Sequence, residues 1–145
     1  MKTLAVFIFL LGGILVFSRC SREPKKEEAE CVVTDPNPNK SSELAILMRK
    51  MATHAEKAKG EVLAGKLTGT FPEEFRKIFS AIPTDSLIKG EHFNEFAAGY
   101  LTNLELLYSE QSDLNARYNA VVKSCVNCHE TTCPGPLVRI NKFKI

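Results

Sequence analysis

The chain has 145 residues, 44% hydrophobic and 25% charged, with Lys and Arg at 19 against Asp and Glu at 17. That length carries one small domain, and so even a charge balance, with no basic stripe, excludes the electrostatic footprint of a nucleic-acid binder.

Taken in chain order, Lys2 precedes an apolar run from Leu4 to Phe17. A positive start and a short apolar stretch are the pattern of an export signal, here residues 1–19, and the run is too short for a comfortable membrane span. It closes on Phe17-Ser18-Arg19-Cys20, which resembles a bacterial lipoprotein signal. Cys20 is then the expected lipidation site, although Arg19 departs from the small residue usual before that cysteine. An uncleaved signal anchor and plain secretion are the alternatives. All three place the folded part in the cell envelope, periplasm-facing or at the surface, where thioethers and disulfides form. Loss of Lys2 and Arg19 leaves 17 basic residues against 17 acidic ones. Residues 20–40 are charged, proline-bearing and poor in large apolar groups, so they are expected to form a solvated tether to the membrane.

Four stretches then show helical period, all within an expected domain at 41–141. The first follows Ser41-Ser42 as N-cap, with Leu44, Met48, Met51, Ala55, Ala58 and Val62 as its apolar stripe, and ends at Gly65 and Gly69. The second opens on the capping-box pattern Thr70-Phe71-Pro72-Glu73, buries Phe75, Ile78, Phe79 and Ile82, and stops at Pro83. The third runs from Glu91 to Glu110, with Phe93, Phe96, Ala97, Tyr100, Leu104 and Leu107 on one face. The fourth begins near Ser112-Asp113 and carries Leu114, Tyr118, Val121, Cys125, Cys128 and His129 in register; Pro134-Gly135-Pro136 forbids its continuation. No stretch alternates at period two, and the connections are short. The expected fold is therefore all-α, an up-down-up-down antiparallel four-helix bundle.

The chemistry lies at the end of the fourth helix, in Cys125-Val126-Asn127-Cys128-His129. C-x-x-C-H is the attachment signature of a c-type haem: two sulfurs three positions apart add to the vinyl groups of one porphyrin, and the adjacent imidazole ligates the iron. A zinc site needs a second close ligand pair, and Cys20, Cys31, Cys133, His54 and His92 form none. With lipid on Cys20 and haem on Cys125 and Cys128, Cys31 and Cys133 remain to pair as a disulfide; free buried thiols are the alternative.

A second axial ligand must come from the wall opposite the fourth helix. The first helix offers Met48, with Met51 as the alternative; the rival reading is that both thioethers are core filler, which fits Met51 better than Met48. His54 and His92 read as surface residues. Arg139 is the candidate partner for a haem propionate, and Tyr100, Tyr108 and Tyr118 read as bundle packing.

These features resemble the cytochrome c-prime family, including its low-spin, methionine-ligated members. The likeness rests on the export signal, four helices, Ser-Glu-Leu-Ala-Ile-Leu-Met at residues 42–48 and Ser-Cys-Val-Asn-Cys-His at residues 124–129. It implies Cys125 and Cys128 as thioether cysteines, His129 as the proximal ligand and Met48 at the distal position. It also implies pairing of two copies through the first two helices, as in many members. The segment from Glu130 to Pro136 departs from the family, which usually ends soon after the haem motif with a basic residue nearby.

The expected function is one-electron transfer by one covalent haem c with His/Met ligation, no catalysis, and transient redox partner proteins. The rivals are a five-coordinate gas-binding cytochrome c-prime and a haem-free helical lipoprotein.

Overall fold

The structure, a computed structural model, describes residues 40–110 and 112–145. The export signal, Cys20, Cys31 and all of the tether but Lys40 lie outside the described residues. Within them the chain is all-helical, with no strand.

Helix α1 spans Glu43–Leu63. Ser42 caps it, its hydroxyl accepting from the Ala45 amide at 3.2 Å, and Glu43 sits favourably in the first turn. Its C-terminus is a Schellman motif. Gly65 adopts a φ of 76°, its amide bonds to Val62 O at 2.9 Å, and the Lys66 amide bonds to Glu61 O at 3.1 Å. The glycine ends the helix because a side chain resists that left-handed backbone.

The second expected helix is instead a seven-residue 3-10 helix, Glu73–Phe79, without a side-chain cap. It is bounded by Pro72 and Pro83, neither of which can donate a main-chain hydrogen bond. The tighter turn changes which side chains face inward. Phe75 and Ile78 are buried, whereas Phe79 and Ile82 are exposed, correcting the periodic reading of this stretch. Within the following loop Ser86–Ile88 forms another 3-10 turn, capped by Asp85 accepting from the Leu87 amide at 2.9 Å.

Helices α2 (Phe93–Ser109) and α3 (Leu114–Thr132) pack along each other more extensively than any other pair. Their core faces meet through Leu104, Leu107, Tyr118 and Val122, each 1% exposed or less. Tyr118 satisfies its buried hydroxyl by donating to Ala55 O of α1 at 2.9 Å. Leu47 and Leu101 also belong to this core, beyond the expected stripes. With Leu47 facing the core, Met48 turns to its margin and is only half-buried.

The chain does not trail off after the fourth expected helix. A short helix α4 (Leu137–Ile140) and a 3-10 turn (Asn141–Phe143) fold back, burying Ile140 and Phe143. Among the described residues no helix is long and apolar enough to cross a membrane.

His54 is not a surface residue. It shares a 2.7 Å hydrogen bond with the Tyr108 hydroxyl and meets the Phe75 ring edge-on at 5.2 Å. Burial, reinforced by Lys57 and opposed by Glu61, lowers its pKa from 6.5. The unfolded chain therefore takes up the proton first. Stability is fully present above about pH 6.5 and falls as the pH drops from there toward the folded pKa. Urea unfolding across this range should show that slope, and His54→Gln should flatten it.

Candidate functional site

Thr132 ends α3 at the C-x-x-C-H segment, which occupies the helix's last two turns. Spacings of three and four place Cys125, Cys128 and His129 along one helix face. Hydroxyls steady this terminus: Thr131 donates to Asn127 O at 2.9 Å and Thr132 to Cys128 O at 2.8 Å. Asn103 of α2 donates to Ser124 Oγ at 2.8 Å, fixing the helix beside Cys125.

All three motif side chains line a cavity of about 360 Å³. Helix α1 forms the facing wall and contributes Met48 and Met51. Phe93 and Tyr100 of α2, the loop at Pro83 to Ile88 and the C-terminal segment complete the lining of a cavity that stays open to solvent. The lining is predominantly apolar. Among the described residues its basic side chains are Arg49, Arg139 and His129, and no carboxylate lines it.

His129 is 9% exposed, and its tautomer follows from its neighbour. Nδ1 lies 3.0 Å from Cys133 O, which can only accept, so Nδ1 carries the proton and donates. Cys133 Sγ lies 3.3 Å from the same nitrogen. In the neutral ring Nε2 then keeps the lone pair and is the atom that could ligate a metal.

Burial pushes the Cys125 thiol up to about 12, with Cys128 adding to the effect. Burial raises Cys128 as well, against a lowering hydrogen bond from Thr132. Both sulfurs are thus disfavoured as thiolates and suited to an uncharged state. Among the described residues no group of three or more His, Cys, Asp or Glu side chains could hold a metal ion. Cys125, Cys128 and Cys133 are free cysteines, and the expected partner of Cys133, Cys31, lies outside the described residues.

The cavity brings together Cys125, Cys128, His129, Met48, Met51 and Arg139. Arg139 also pairs with Glu56 at 3.0 Å, so it stands at the rim as one half of an ion pair. His54 and Tyr108 do not line the cavity, being joined to each other. His92 is exposed beside Glu95. Tyr100 lines the cavity, and burial pushes its phenol well above 10.

Sequence reasoning missed Arg49 and the C-terminal pair Ile140 and Phe143. Arg49 was legible as the neighbour of Met48; no periodic signal marks a segment as short as the other two occupy. Comparison with protein-family models, with curated proteins and with solved structures finds no match to this chain.

Proposed function

We propose that this chain is a c-type cytochrome carrying one covalent haem c and acting as a one-electron carrier. The carrying observation is the imidazole of His129, whose Nδ1 is committed to Cys133 O at 3.0 Å while both motif cysteines line the same apolar cavity. The donor chemistry fits the group. A thioether has no proton to lose, so surroundings that resist a thiolate accept it without penalty. Apolar walls with two guanidiniums suit a flat apolar ligand bearing two carboxylates, which makes Arg49 and Arg139 its candidate carboxylate partners.

On this reading Cys125 and Cys128 would hold the porphyrin, and His129 and Met48 would ligate its iron, with Met51 the alternative to Met48. The bound group would supply the reversible one-electron couple. Buried Tyr100, Phe93, Ile140 and Phe143 would give the group an apolar wall, and the carbonyl on Nδ1 holds the imidazole in its ligating tautomer. Helix α1, the Glu73–Phe79 segment, α2 and α3 would stand as the four members of an up-down bundle like that of the cytochrome c-prime family. Export, a lipid anchor on Cys20 and a Cys31–Cys133 disulfide complete the proposal. Redox partners dock transiently, as weak electron-transfer encounters do.

The test is covalent colour. Mature protein from a host that attaches c-type haem should keep its haem on a denaturing gel, and Cys125→Ala with Cys128→Ala should abolish the stain. A colourless wild-type product overturns the reading in favour of a haem-free helical lipoprotein. The five-coordinate gas-binding alternative keeps the stain, and a high-spin ferric spectrum identifies it.

A further inference from the structure

The C-terminal fold-back is held with more specific bonds than its short buried face requires. The Lys59 ammonium of α1 donates to Lys142 O at 2.9 Å and to Lys144 O at 2.8 Å. Asn119 of α3 makes a reciprocal pair with Ile145, donating from Nδ2 to its carbonyl and accepting from its amide, each at 3.0 Å. Arg139 adds the ion pair to Glu56. At the other end of this segment, Pro134-Gly135-Pro136 joins it directly to Cys133, with Leu137 N bonded to Pro134 O at 3.0 Å.

Cys133 has already left the helix, at φ −156° and ψ 89°. No helical hydrogen bond fixes the direction of its carbonyl. That direction depends on where the following chain is anchored, and it is this carbonyl that accepts from His129 Nδ1.

We infer that residues 134–145 are a strap that positions His129, with Lys59 and Asn119 as the positioning residues that hold it. The inference rests on the reading of His129 as the iron ligand. The strap aims the Cys133 carbonyl at Nδ1 and thereby sets the tautomer and the donor strength of the imidazole. A firmer N–H···O=C bond makes the ring a stronger donor and favours the oxidised metal.

Two readouts test this on the full mature chain. Long-range proton–nitrogen correlation spectra report the His129 tautomer and its Nδ1 hydrogen bond, and a spectroelectrochemical titration reports the potential. Lys59→Met and Asn119→Ala, made separately, should each move the Nδ1 resonance toward that of a water-exposed imidazole and raise the potential; Lys59→Arg should restore both. Lys59 and Asn119 are only partly buried, so the helical fold survives, as circular dichroism will verify. Wild-type values of both readouts in folded Lys59→Met and Asn119→Ala overturn the inference. Should the wild-type chain prove colourless, the ligand reading fails, while the nitrogen spectra of that same chain still decide whether the strap governs the tautomer.

Discussion

Met48→Ala is expected to turn the ferric spectrum of the haem-loaded chain from low spin to high spin, while Met51→Ala leaves it low spin and lowers stability instead. The two thioethers lie almost one turn apart on α1 and line the same cavity, so spacing does not separate them. Burial does. Met51 is 7% exposed and belongs to the hydrophobic core, where it fills space between helices. Met48 packs at the core's margin and is half-buried, leaving its sulfur free to reach into the cavity. Truncating a core methionine costs about 2–5 kcal/mol, so Met51→Ala should show a clear loss in urea unfolding. Met48→Ala should cost less and change the iron's coordination. A high-spin wild-type spectrum sinks the electron-carrier mechanism and favours gas binding. A low-spin spectrum that survives Met48→Ala moves the ligand to Met51. His54 is no substitute, because its ring is tied to Tyr108 and lies off the cavity.

Phe75→Ala is expected to cost about 3–5 kcal/mol, a large share of the roughly 5–15 kcal/mol that holds a domain of this size. Phe75 is 2% exposed and anchors the Glu73–Phe79 segment against the helices. That segment has little local stability of its own, since a 3-10 helix has strained hydrogen bonds and few of them. Its surface ion pairs, Lys50 with Glu74 and Arg76 with Glu73 and Glu105, are solvent-exposed and add little. Removing the ring also deletes the edge contact to His54. Phe75 does not line the cavity, so the visible spectrum of the surviving folded protein should be unchanged. A spectral change would show that this segment is coupled to the site.

Much of the helical framework was readable from the chain. Ser42, Gly65 and the Pro134 to Pro136 turn mark ends that the structure respects, because caps and breakers act within a few residues. Most of the α1 and α2 stripes was legible for the same local reason, their period repeating over several turns; Met48 and Phe96 are the expected members that fall outside the core, and Leu47 and Leu101 join it. The Glu73–Phe79 segment was misread because helical spacing over one or two turns does not separate an α-helix from a 3-10 helix. The start of α3 after Asp113 was legible too, but its side chain makes no capping bond and its backbone is left-handed, at φ 51°.

The sequence by itself determined the all-helical character, the breaks between elements, and the cysteine and histidine spacing that puts three reactive side chains on one helix face. Those are local properties, set by backbone preference and by a period of 3.6 residues. Only the tertiary structure decided that Met48 lies at the margin and Met51 in the core, that Arg49 joins Arg139 in lining the cavity, and that the C-terminal residues return to brace the helix carrying His129. These depend on contacts between residues up to 85 positions apart, which no local pattern encodes.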